Sequence, residues 1–246
     1  GEGLCLGERF EEQPSSAFCS GFLIAPNKIV TAGHCLESTM DCLTTRFVFD
    51  YKLRADGTAA TQFDESQVYY CKSLVGQKQI NDGADFAIVE LDRPVVGRAP
   101  LKLSTNASLK PGDPLVLSGY PSGLPAKISD DASVRLIKPT AGFLVANLDS
   151  YAGNSGAAVF NATTLEVEGI LVRGAKDFTF STDSKCSVSN RYDQNAGRGE
   201  DVTLISKLKE GFTLRYVWLK ADKSCNEFRG SDYVREVAAF YCVGAL

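Results

Sequence analysis

The chain has 246 residues, 44% hydrophobic and 23% charged, with a formal net charge of −4. That is enough chain to bury one large core or two small ones, and the slight excess of acids offers no basic surface for nucleic acid or an anionic membrane. The longest apolar runs, AGFLVANL (141–148) and VAAFYCVGAL (237–246), fall short of the roughly 20 residues a helix needs to cross a bilayer, so no membrane partner is expected.

In chain order the sequence reads as short β-type runs between turn signals. FLIAPNKIVTA (22–32) is strand, Pro-Asn turn, strand, and RFVFDY (46–51) alternates, with Phe47, Phe49 and Tyr51 on one face. SQVYYCKSLV (66–75), DFAIVEL (85–91), DPLVLSGY (113–120), SVRLIKP (133–139), GFLVANL (142–148), GAAVF (156–160) and EVEGILVRG (166–174) continue the pattern. Strands of this length and spacing predict an all-β chain, built as closed antiparallel barrels or a sandwich. The polar stretch TDSKCSVSNRYDQNAGRGED (182–201) reads as one extended loop pinned at Cys186. At the end, SDYVREVAAFYC (231–242) changes period. Ser231 can cap, and Val234, Val237, Ala238 and Tyr241 recur at helical spacing, which predicts a short C-terminal helix.

Eight cysteines, at 5, 19, 35, 42, 71, 186, 225 and 242, form an even set with no Cys-x-x-Cys pair, and His34 is the only histidine. Zinc would then need mostly thiolates, and the spacing does not cluster them, so no metal site is expected. Disulfides are the better reading and imply an oxidising compartment, secreted or periplasmic. The chain starts at Gly1 with neither an initiator methionine nor an apolar leader, which suggests a signal peptide already removed. Sequons at Asn106 and Asn161 fit such a surface.

Three stretches carry unusual local chemistry. NKIVTAGHC (27–35) puts the single imidazole of His34 directly before a cysteine, and NDGADFAIVEL (81–91) puts Asp85 at the mouth of an apolar strand, where a carboxylate is costly unless something binds it. DSYAGNSGAAVF (149–160) sets Ser155 between Gly153 and Gly156, so the backbone can turn tightly and aim adjacent N–H groups into one space. Taken singly, each has an ordinary explanation: a surface or satisfied core histidine, a turn aspartate with Asp82 as a competing neighbour, a small turn serine. Together they supply a base, an orienter and a nucleophile.

FCSGFLIAPNKIVTAGHC, DFAIVEL and GNSGAAVF resemble, in order, the three signature regions of the trypsin/chymotrypsin-like serine peptidases, over about residues 15–205. The resemblance implies two antiparallel six-stranded β-barrels with the active site in the cleft between them: His34 and Asp85 in an N-terminal barrel (1–105), Ser155 in a C-terminal one (106–205), then an extension and helix (206–246). It implies a catalytic triad of His34, Asp85 and Ser155, an oxyanion hole from the amides of Gly153 and Ser155, and a disulfide between Cys19 and Cys35. No metal or organic cofactor is called for. Cys42 and Cys71 fit a bridge inside the first barrel; 5, 186, 225 and 242 stay open.

The same resemblance addresses specificity. The primary pocket's floor would be Asp149, six residues before the nucleophile, suited to Arg or Lys, with Val172, Arg173 and Gly174 along one wall and Asp201 as a second acid on the other. There are departures. Asn154 stands where trypsins hold an aspartate for the N-terminal amine, Tyr151 where they hold a cysteine, and GEGLCLGERF does not resemble their activated terminus. GNSG and GYPSG (119–123) are closer to bacterial members, glutamyl endopeptidases included, yet those use a histidine where Leu171 stands here. The expected protein is a monomeric, secreted serine endopeptidase acting on protein or peptide substrates, with a proteinaceous inhibitor or propeptide as further partners; the alternatives are another specificity or a catalytically inactive binding module.

Overall fold

Short apolar runs that cannot bury themselves pair here into two closed barrels. The computed structural model describes residues 3–105, 109–209 and the backbone of 240–244. The first barrel uses β1 (Ala17–Ala25), β2 (Lys28–Thr31), β3 (Arg46–Phe49), β4 (Val68–Gln79) and β5 (Asp85–Leu91). The second uses β6 (Pro114–Gly119), β7 (Lys127–Lys138), β8 (Phe143–Ala146), β9 (Ala158–Asn161), β10 (Val167–Arg173) and β13 (Glu200–Leu204), while β11 (Phe178–Ser181) and β12 (Cys186–Ser189) form a separate hairpin. β14 (Phe240–Gly244) returns to the first barrel and closes it between β1 and β3.

The strand order is β1-β14-β3-β4-β5-β2 in the first barrel and β10-β13-β8-β7-β6-β9 in the second, with all pairs antiparallel. β4 and β7 are the longest strands, and both carry register shifts, which bend a strand enough to wrap a small barrel. β3 stops early because Asp50 takes φ +64°, so Tyr51, although buried, lies beyond the strand. β5 is buried almost end to end. Its apolar run is continuous because the core of the first barrel merges with Ala158, Val167, Ile170 and Val172 of the second.

Two expectations shift, and one short helix is new. Residues 182–201 are not one loop: β12 pairs with β11, and Cys5 bridges to Cys186, fastening the N-terminal segment to that hairpin. The short helix α1 (Thr39–Thr44) has a capping box from Ser38 and Asp41, a signal present in STMD, and Cys42–Cys71 pins it to β4. The helix expected over 231–242 does not extend through its last three positions, which belong to β14; its remainder, Cys225 and the sequon at Asn106 lie outside the described residues. Asn161 ends β9, and its side chain accepts from the amides of Thr163 and Thr164 at 2.9 and 3.1 Å.

Candidate active site

His34 sits in a single 3-10 turn, Gly33–Cys35, just after β2. Cys19–Cys35 ties that turn to β1. Asp85, the first residue of β5, holds it from the other side: Oδ1 accepts from the amides of Gly33 (2.5 Å) and His34 (3.2 Å), and Oδ2 lies 2.7 Å from His34 Nδ1. The Asp85 side chain is 3% exposed and the His34 ring 31%. A carboxylate at Nδ1 fixes the tautomer, leaving Nε2 as the acceptor on the open side. Asp82, the competing acid, is exposed.

Thr203 completes this half of the site from the second barrel. Its hydroxyl accepts from Asp85 N and donates to Asp85 O, both at 3.0 Å, and it is fully buried. No local sequence signal marks Thr203, because its partner is 118 residues away.

Ser155 reaches the same place because Gly156 permits it. A Cβ on Gly156 would lie 2.1 Å from Ser20 O and 2.4 Å from Thr31 Oγ1, at φ +90°, so only glycine lets this loop close onto β1 and β2. Ser20 N donates to Ser155 O at 2.7 Å, and the sulfur of Cys35, His34's neighbour, is 3.8 Å from that oxygen. Among the described residues Ser155 Oγ makes no hydrogen bond, and catalytic contacts of this kind commonly tighten only when substrate binds.

The backbone before Ser155 is held by its carbonyls. Asn154 N donates to Tyr151 O at 3.1 Å with Gly153 at φ +90°, the signature of a type II turn. The central carbonyl, Ala152 O, accepts from Ser122 N at 2.5 Å. The N–H of that same peptide, Gly153 N–H, therefore points the opposite way. Gly153 O in turn accepts from the buried hydroxyl of Ser20 at 2.7 Å, which itself accepts from Tyr120 N at 2.9 Å. Among the described residues neither Gly153 N nor Ser155 N donates to a protein acceptor, which leaves two amide donors two positions apart for a developing oxyanion. Asn154 is 3% exposed; its Nδ2 donates to Ser150 Oγ at 3.2 Å and its Oδ1 has no partner. An amide is tolerated there, whereas a carboxylate without a cation would be costly.

Beside this turn lies a cavity of about 440 Å³, bounded by 147–151, 175–177, 189–194 and 196–200. Tyr151 packs on Phe178 with ring centroids 5.3 Å apart, and Asp177 Oδ2 accepts from Ala152 N at 2.6 Å, so two noncovalent contacts brace the edge where trypsins would have the cysteine. Burial raises the Asp177 carboxyl above its ordinary value. A second cavity, about 520 Å³, lies against Asp50, Tyr69, Arg93 and Arg98 of the first barrel and touches none of the triad.

The specificity residues expected from sequence separate. Asp149 borders the cavity but is exposed, not a buried floor, and Val172 is buried within β10. Arg173 turns from the cavity toward the turn that precedes Asp85. Its guanidinium donates to Ile80 O at 3.2 Å, Gly83 O at 2.7 Å and Asp201 Oδ2 at 3.1 Å, and lies 3.9 Å from Asp85 Oδ2. Asp201 is buried between Arg173 and Arg198 and does not line the cavity. The acid that does is its neighbour Glu200, because successive strand residues face opposite sides and a one-residue difference in register exchanges them. The Glu200 carboxylate lies across Gly174, where a Cβ would come within 2.4 Å of three of its atoms. Burial, foremost, lifts the Glu200 carboxyl to about 7. Among the described residues the one grouping of metal-type ligands is Cys19, His34 and Cys35, and the disulfide removes both thiolates.

Comparison with known proteins bears on the fold and the family. A glutamyl endopeptidase of Bacillus licheniformis is 24% identical over 151 residues, which is 59% of this chain and 46% of that protein, so the chain spans about half the length of this curated relative. Among solved structures, kallikrein-related peptidase 10 in complex with Zn²⁺ superposes with a TM-score of 0.53 at 18% identity, over 82% of this chain and 90% of that one. A serine endoprotease from Yersinia pestis gives 0.51 at 17% identity, over 88% and 61%. At these identities the structures speak for the fold alone. Residues 19–170, more than half of the sequence, match the trypsin-like peptidase domain, and the chain belongs to that family.

Proposed function

We propose that this protein is a secreted serine endopeptidase that cleaves peptide bonds through an acyl-enzyme, on the carboxyl side of Arg or Lys. The observation that carries the reading is the 2.7 Å pairing of His34 with buried Asp85, beside the Ser155 turn, in which Gly153 N and Ser155 N are both uncommitted among the described residues. Ser155 Oγ attacks the scissile carbonyl while His34 Nε2 takes its proton. Asp85 stabilises the imidazolium, and the oxyanion lies between Gly153 N and Ser155 N, where each donor is commonly worth about 3 kcal/mol. His34 then returns the proton to the leaving amine, and a water activated the same way releases the acyl group. Three disulfides support an oxidising, extracellular or periplasmic setting. The type II turn at Gly153 favours a working enzyme over an inactive binding module, because it leaves both donors free.

The test is digestion of a mixed peptide library with the wild type and Ser155→Ala, alongside labelling by a small uncharged fluorophosphonate. Cuts after Arg and Lys that vanish in the variant, with one label per chain on Ser155, are expected. Ser155-dependent cuts after other residues would overturn the basic preference. An unlabelled wild type with no cuts would overturn the enzyme.

A further inference from the structure

We propose that Glu200, rather than Asp149, reads the substrate residue on the acyl side of the cut, and that its carboxylate takes a cationic Arg or Lys side chain. The inference rests on the reading of the chain as a Ser155 peptidase. It begins with placement. Glu200 is the first residue of β13 and borders the same cavity as 147–151, the segment leading to the nucleophile turn. Its carboxylate lies against the Cα of Gly174, on the wall that the resemblance assigns to substrate, and only a residue without Cβ leaves room for it. The carboxylate is aimed by one hydrogen bond, Oε1 accepting from Ala175 N at 3.1 Å, which leaves Oε2 and the remaining lone pairs for a ligand.

Charge balance points to what that ligand is. The groups acting on Glu200 are Asp177 from the loop after β10, and Arg198 and Asp201 from its own strand and the approach to it. Of the bases that line the cavity, Arg198 is committed to Asp201 at 2.6 Å, where Arg173 meets it at 3.1 Å, and Arg9, Arg135, Lys176 and Arg191 make no ion pair with Glu200. Among the described residues no ion pair reaches Glu200. The largely buried carboxyl is therefore left without an ion-pair partner, and burial that no such partner offsets raises its proton affinity to about 7. A guanidinium or ammonium entering the cavity supplies the missing charge and returns the group to its ionised form. Exposed Asp149 has no comparable deficit, because water already solvates it.

The experiment measures kcat/KM on fluorogenic peptides differing only in Arg, Lys, Gln or Glu at the acyl-side position, with wild type, Glu200→Gln, Glu200→Asp and Asp149→Asn. Loss of a charge-assisted contact of this kind corresponds to about 10- to 100-fold, so Glu200→Gln should lower the Arg:Gln ratio by that factor. Asp149→Asn should change it by less than about threefold. Glu200→Asp, which keeps the charge, should retain a preference for Arg and covers the case in which the Gln variant does not fold. Collapse of the ratio in Asp149→Asn with Glu200→Gln unchanged would overturn the assignment, as would a wild-type preference for Gln or Glu. Fluorophosphonate labelling separates the two levels: a labelled wild type indifferent to the Glu200 variants sinks this inference alone, and an unlabelled wild type sinks the peptidase reading with it.

Discussion

The first barrel contributes the imidazole–carboxylate pair of the site, and the second contributes Ser155 with the two uncommitted amides beside it. His34 and Asp85 are held where covalent and buried constraints are densest. Cys19–Cys35 and Cys42–Cys71 both lie within that barrel, and the Asp85 carboxylate accepts three hydrogen bonds. The second barrel has no disulfide between its own strands; Cys5–Cys186 reaches only the β11–β12 hairpin. What it presents is aimed through carbonyls: Gly153 N–H through Ala152 O, held by Ser122 N, and Ser155 N–H through Asn154 O, held by Ala157 N, while the Ser20 hydroxyl pins the turn between them at Gly153 O. Orienting an imidazole takes a buried acceptor that is itself held by further donors. Orienting an N–H takes a grip on the oxygen at the other end of a peptide. The two halves should therefore fail differently: the first through loss of proton transfer, the second through loss of transition-state binding.

The largest effect should come from Asp85→Asn. The amide cannot accept from Gly33 N, His34 N and His34 Nδ1 as the carboxylate does, and it favours the wrong imidazole tautomer. A loss of about 10⁴-fold in kcat is expected, with the fold retained by circular dichroism. A loss under about tenfold would mean that His34 is not oriented by Asp85, and would dissolve the contrast between the barrels.

The candidate residues His34, Asp85 and Ser155 stood out in the sequence because each sits in an unusual local setting, an imidazole beside a cysteine, a carboxylate opening an apolar strand, a serine between glycines, and the family resemblance joined them into one proposal. The all-β pattern was legible for the same reason, since period-two runs and turn residues are local. The residues that aim the site were not. Thr203 meets Asp85 across 118 positions, and Ser20 meets Gly153 across 133, so neither leaves a mark among its neighbours. Glu200 shows a subtler limit. The acid pair Glu200–Asp201 was visible, but which one faces the cavity depends on strand register, and register is set by pairing with Val145 and Arg173 rather than by anything in GEDVTLI. Likewise β12 hides in a polar stretch because the hairpin it forms with β11 buries little.

A smaller effect isolates the turn before Ser155. Ser20→Ala removes the donor to Gly153 O and the acceptor for Tyr120 N. Because the turn's N–H groups act on the oxyanion more than on bound substrate, kcat should fall about tenfold while KM stays within about twofold. Affinity for a peptide boronate, which mimics the tetrahedral state, should fall in parallel. Loss of thermal stability with kcat and boronate affinity unchanged would leave Ser20 as a packing residue only.

The smallest effect joins the site to stability. The Glu200 carboxyl, ordinarily near 4.5, is lifted to about 7 by burial first and by Asp177 and Asp201 after it, against the opposing Ala175 amide and Arg198. A raised carboxyl favours the protonated fold. That advantage is complete below about pH 4.5, drains away as pH rises through 7, and above 7 the fold carries an unpaired buried charge. Glu200→Gln stays neutral throughout. The variant should therefore melt close to wild type at pH 4.5 and above it at pH 8.5, by up to about 3 kcal/mol or several degrees. Equal melting differences at both pH values would mean that Glu200 is ionised and satisfied without substrate, which would remove the charge deficit assigned to the cavity. A difference that grows with pH, and shrinks when a saturating arginine-based inhibitor is bound to the wild type, would tie the instability of the empty cavity to the cation it is built to receive.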